Sequence, residues 1–148
     1  MGNMTGEASV HVDAAPERCY EIAADVDHIS EWQGGVQRVE VLERDAEGRA
    51  VLIEMHTDAK VRTIKSRIAF EYDPPAGLSW KQVKGDLKSV VGSWSFEADG
   101  DGTLATYRLD GDPGRVIGML IRGPVEGKLR DLLVSARPGE LKIRAEAG

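Results

Sequence analysis

The chain has 148 residues, enough for a single domain that buries roughly 68–70% of the surface its unfolded form would expose. It is 41% hydrophobic and 30% charged, with a formal net charge of −6 that argues against a polyanion partner such as nucleic acid. No apolar run approaches the roughly 20 residues that cross a bilayer, and the opening MGNMTGEASV has neither a basic segment nor an apolar core typical of a signal peptide. These features predict one domain over residues 1–148, cytoplasmic, without integral membrane association, and a monomer or weak dimer.

Ala8, Val10 and Val12 alternate with Ser9, His11 and Asp13, the period of a half-buried strand. Pro16, with its fixed φ, suits a first helical turn, and Asp13 and Glu17 favour a short helix running to about Ala24. Cys19 has no second cysteine to pair with and shares an apolar helical face with Ile22, Ala23 and Val26, which predicts a buried structural thiol. Asp27 to Trp32 reads as a second short helical turn, ended by Gly34-Gly35.

From Val36 the pattern changes to strands: Val36–Arg44, Ala50–Thr57, Val61–Tyr72, Leu78–Lys84, Leu87–Glu97 and Thr103–Asp110. Gly, Asp and Pro at each break supply turn chemistry, so neighbouring strands are antiparallel. After Pro113 helical spacing returns, with Val125, Leu129, Leu132, Leu133 and Ala136 on one face. Gly118, Gly123, Pro124 and Gly127 weaken that segment, which predicts a short helix before Gly123 and a firmer one from Pro124 to about Arg137. Pro138-Gly139 is expected to end or kink it. The ordered core then spans about 6–137, and residues 138–148 form either a last helical turn or a frayed tail.

One face of the predicted sheet collects Ile53, Met55, Ile68, Trp80, Trp94 and Tyr107 among other apolar residues, and the same alternation places Ser66, Gln82 and Gly92 there. A few polar groups on an apolar wall suit a small-molecule site, and they equally suit an ordinary core with satisfied hydroxyls and amides. Trp32, at a glycine pair, reads either as a gate or as a ring packed on the sheet edge. His11, His28 and His56 are too scattered for a ligand set, so no metal is expected. Asp25, Asp27 and His28 read as a solvated helix end, and Asp99-Gly100-Asp101-Gly102 as a hairpin turn. Lys65 and Arg67 fall on the outer face, whereas Lys60 and Arg62, in a turn, are placed to meet an anionic ligand.

The order strand, two short helices, six strands and long C-terminal helix, with Val12-Asp13-Ala14-Ala15-Pro16-Glu17-Arg18, Asp25-Val26 through Glu31-Trp32, Val39 through Arg44, Ser79-Trp80, Gly85-Asp86-Leu87 and Gly92-Ser93-Trp94, resembles the START-like SRPBCC superfamily. The resemblance is to its bacterial polyketide cyclase/dehydrase and coenzyme-Q-binding branch. It implies an α+β helix-grip fold, in which a curved seven-stranded antiparallel sheet wraps a long C-terminal helix, two short helices follow strand 1, and an apolar pocket lies between helix and sheet. The expected pocket residues are Trp32, Met55, Ile68, Trp80, Gln82, Trp94, Tyr107, Leu129 and Leu133. No cofactor is expected.

The expected function is binding or transport of a hydrophobic small molecule: a polyketide, quinone, lipid or sterol-like compound. The alternative is a polyketide aromatase/cyclase or dehydratase, for which Tyr107, Gln82 and Ser66 would be the nearest catalytic candidates. None has a visible activating partner, and no His, Cys or paired carboxylate falls in the expected pocket, so carriage is preferred to catalysis. A non-catalytic module that binds a partner through an open sheet edge is a third class.

Overall fold

Alternating side chains build seven strands: β1 (Gly6–Val12), β2 (Val36–Arg44), β3 (Ala50–Asp58), β4 (Thr63–Asp73), β5 (Gly77–Gly85), β6 (Ser89–Asp99) and β7 (Gly102–Asp112). The computed structural model describes residues 5–59, 62–120 and 123–147, so Lys60 and Val61, two residues singled out above, lie outside the described residues. The strands form one antiparallel sheet in the order β1-β7-β6-β5-β4-β3-β2. Each consecutive pair from β2 to β7 is a hairpin, whereas β1 pairs with β7.

Helix α1 (Pro16–Ala24) and a 3-10 turn (Val26–Glu31) carry the chain from β1 on one sheet edge to β2 on the other. Cys19 on α1 is buried, and that burial pushes its thiol up and keeps it protonated. Asp25 holds His28 at 2.9 Å, and Asp27 takes Arg44 at 2.6 Å, in the solvated arrangement expected of this helix end. Asp99 and Gly102 close the β6–β7 hairpin as the turn chemistry predicts.

The turn after β5 is longer than Gly85-Asp86. Asp86 is drawn back to β4, where its N–H and carboxylate bind the Lys65 backbone at 2.9 Å each, so β6 starts only at Ser89 and Leu87 tucks inward.

The C-terminal segment holds α2 (Gly114–Leu120), α3 (Pro124–Arg130), a π-helical turn (Asp131–Ser135) and α4 (Arg137–Glu146). Residues 138–146 are therefore helical: Leu141 and Ala145 are buried, and α4 packs on β1 and α1. Pro138 does not stop the chain because the ladder is reset just before it. Ala136 N–H reaches back five residues to Asp131 O at 2.9 Å, and Pro138 then falls in the first turn of a new helix, where its missing N–H is no loss.

Candidate ligand cavity

Four consecutive inner strands, β4 to β7, bring the large rings together. Trp94 on β6 lies opposite Tyr107 on β7, with centroids 4.8 Å apart and edge to face. Trp80 on β5 is 5.6 Å from Tyr107 and 5.9 Å from Phe70. Such contacts are each worth about 0.5–1.5 kcal/mol beyond area burial. The indole of Trp80 lies across Gly92, its cross-strand partner, at a position where any β-carbon would collide with it.

Against this aromatic floor lie two adjoining cavities, the larger of them reaching the C-terminal helical segment. The larger, ≈ 90 Å³, is walled by Ile64, Ile68, Val90, Leu109 and Leu133, among others, with Ser66, Thr57 and Arg137 as polar members. The smaller, ≈ 40 Å³, lies under α1 and the 3-10 turn, against Ala23, Val26, Ile29, Phe70, Leu78 and Trp94. Gln33, Met55, Trp80 and Tyr107 line both.

Of the residues expected at a pocket, Met55, Ile68, Trp80, Trp94, Tyr107, Leu133 and Ser66 line these cavities. Three expected residues sit elsewhere. Leu129, one turn before Leu133, is buried in the core outside the cavity lining. Gln82 spends its amide on structure: it accepts from Ser66 Oγ at 2.9 Å and donates to Leu87 O at 2.8 Å, pinning the inward-turned loop. Trp32 packs on Trp94 with centroids 6.4 Å apart, and it lines an outer polar groove with Arg18, Asp25 and Arg144. Arg62 stands 4.0 Å from Asp86, outside both cavities.

Gln33, Leu87 and Arg137 were not anticipated. Arg137 carried a signal, since it continues the every-fourth-residue series Leu129, Leu133, Arg137, Leu141 along the buried side of the helical segment. Its guanidinium is almost wholly enclosed, with Nη1 donating to Gly34 O and to Glu140 Oε1 at 2.8 Å each. The other Glu140 oxygen accepts the Gly34 N–H at 2.7 Å, so the α4 pair clamps the glycine turn that follows the 3-10 segment. Full burial pushes the Tyr107 phenol up, against the pull of the Arg137 guanidinium beside it. Tyr107 is accordingly a neutral hydroxyl at physiological pH.

The cavities are thus apolar rooms with a few hydrogen-bonding groups in their walls. Among the described residues that line them there is no His, Cys, Asp or Glu. Among the described residues no helix is long and apolar enough to cross a membrane.

Comparison with known folds agrees with this architecture. The Thermus thermophilus protein TTHA0849 superposes with a TM-score of 0.82 at 22% identity, over 97% of each chain. A START superfamily protein of Mycobacterium smegmatis gives 0.81 at 20% identity over 98% of each chain. The Zhui aromatase/cyclase of Streptomyces sp. R1128 gives 0.74 at 19% identity, over 96% of this chain and 93% of that one. No curated protein matches the chain significantly in sequence. At these identities the neighbours speak to the helix-grip fold alone. The sequence profile described as polyketide cyclase / dehydrase and lipid transport matches residues 4–137, and the chain belongs to that family.

Proposed function

We propose that the protein binds and carries a hydrophobic small molecule in the two adjoining cavities enclosed by the sheet, the α1 region and the C-terminal helical segment. The observation that carries this reading is the cavity wall itself: apolar side chains from six strands, an aromatic floor, and a few polar groups, Arg137 among them. An interior of ≈ 90 Å³ is smaller than the roughly 150 Å³ cavity known to take up benzene. Ligand entry therefore has to enlarge it. Met55 and Gln33, the two unbranched chains shared by both cavities, are the movable partition, while Trp80 and Tyr107 are held by ring packing.

Carriage is favoured over catalysis by the chemistry of the lining. A cyclase or dehydratase must move protons, and the cavity offers a neutral phenol, hydroxyls, an amide and a guanidinium, none of which is a base near pH 7. The test is titration with an apolar fluorescent probe, which should change tryptophan emission saturably, followed by recovery of a bound poly-β-keto compound. The compound is expected back unchanged, and Tyr107→Phe should alter affinity alone. Multiple turnovers to a cyclised or dehydrated product, lost in Tyr107→Phe, would replace carriage with catalysis.

A further inference from the structure

Arg137 is the single charged side chain among the described residues lining either cavity, and it is only 3% exposed. Its bonds to Gly34 and Glu140 both leave from Nη1, the guanidinium also lies within hydrogen-bonding reach of the Tyr107 hydroxyl, and its Nε–H is buried with no partner. A buried donor left open is costly, which is why nearly all such groups in folded proteins are matched. Glu140 is not free to turn and serve it. One carboxylate oxygen already holds Nη1 and the other holds the Gly34 amide.

On the cavity side stands Tyr107, whose ring is fixed by Trp94 and Trp80, so its hydroxyl has little freedom to move away. Two donors, a guanidinium N–H and a phenol O–H, thus meet in the wall of an otherwise apolar room. The charge of Arg137 is already matched by Glu140, so a second buried carboxylate would leave the site net negative, whereas a neutral acceptor adds no charge.

We infer that Arg137 and Tyr107 form a subsite for one neutral carbonyl oxygen of the ligand, which enters carbonyl first with its apolar body against Ile68 and Leu109. This rests on the reading that the cavities take a ligand at all. It favours ketone- or quinone-like cargo over hydrocarbon of the same shape. It also assigns recognition to the C-terminal segment, since Arg137 opens α4. The apolar body is read by the strands, and the polar head by one residue of the helix and one of β7.

The test uses the full chain and three probes of one size: acetophenone, ethylbenzene and benzoate, titrated by calorimetry. Acetophenone is expected to bind at least about tenfold tighter than ethylbenzene, from a hydrogen bond to a charged donor. Benzoate should bind more weakly than acetophenone. The infrared carbonyl stretch of bound acetophenone should lie below its value in a hydrocarbon solvent, and Arg137→Met should remove both the shift and the preference. If that variant does not fold, the wild-type stretch and Tyr107→Phe, expected to shrink the preference, decide the matter. Equal binding of acetophenone and ethylbenzene with an unshifted stretch would overturn the carbonyl subsite and leave carriage standing. Tighter binding of benzoate would overturn the choice of a neutral acceptor. Failure of all three probes to bind would overturn both the subsite and the carriage reading.

Discussion

Trp80 lies so close across Gly92 that its indole occupies the space a β-carbon at position 92 would need. The absent side chain is what lets the ring lie flat on the sheet and still reach Tyr107. Gly92→Ala is therefore expected to push Trp80 into the cavity and to cost about 1–3 kcal/mol of stability. Urea denaturation and probe titration check the two effects, and an unchanged midpoint with unchanged binding would contradict this account of the floor.

Trp94 is 3% exposed and touches Trp32, Phe96 and Tyr107. Trp94→Ala should destabilise the protein by about 3–5 kcal/mol, the range for emptying a buried aromatic site. Trp32, half-buried on the outside of the same cluster, should cost clearly less on the same substitution, and thermal melts of the two variants side by side give the comparison.

Glu140 compensates the enclosed charge of Arg137 and also caps the Gly34 amide. Glu140→Ala removes both roles at once and should destabilise by about 3 kcal/mol or more, because an uncompensated buried charge is left behind. Glu146, whose partner Lys142 is more exposed, is the control: Glu146→Ala should cost less in the same denaturation series.

His11 on β1 reaches Asp99 at the end of β6 at 2.8 Å and Asp13 at 3.0 Å. The hydrogen bond to Asp99 leads in raising the imidazole above its ordinary 6.5. A base whose folded pKa is raised contributes stability that is fully present below the unfolded value and is lost as the pH rises through the folded one. Wild type should therefore exceed His11→Asn in urea midpoint most at about pH 5.5, with the gap narrowing towards pH 8.5. His28, held by Asp25, has the same sign and is common to both proteins, so the difference isolates His11. A gap that widens with pH would contradict the bridge.

Helix α2 buries Ile117 and leaves Val116, Met119 and Leu120 at 68%, 60% and 48% exposure. Few contacts hold it, so its amides are expected to exchange faster than those of 128–134, where Leu129, Leu133 and Val134 are buried. Hydrogen exchange read by mass spectrometry makes the comparison, and equal slow exchange over both stretches would show α2 to be firmly docked.

The strands were legible because their alternation is clean: Val36–Arg44 was read with both ends as the structure has them, and the inner face followed from it. The aromatic floor was legible for the same reason, as Trp80, Trp94 and Tyr107 fall on one parity of neighbouring strands. Reading failed where a backbone irregularity moved the register. The five-residue reach from Ala136 to Asp131 absorbs Pro138 and carries the helix on to Glu146, and side-chain periodicity alone does not disclose such a turn. Leu87 turns inward because Asp86 binds a strand 21 residues earlier, a contact that local turn chemistry does not encode. Arg137 was missed since a charged residue near a proline and a glycine reads as a solvated helix end, while its partner Gly34 lies 103 residues away.

The pairing of β1 with β7 dictates when the protein can first be complete. Gly6 lies opposite Leu109 and Val12 opposite Thr103, so the first of these seven strands to be synthesised has no sheet neighbour until the seventh follows. Hairpins β2 to β6 can close in turn as they emerge, each across a short gap, whereas β1 must wait for a closure spanning most of the chain. A nascent chain stalled after Asp99 is thus expected to protect the central meander from protease while residues 6–12 remain cleavable. Protection of β1 should arrive abruptly once β7 is released.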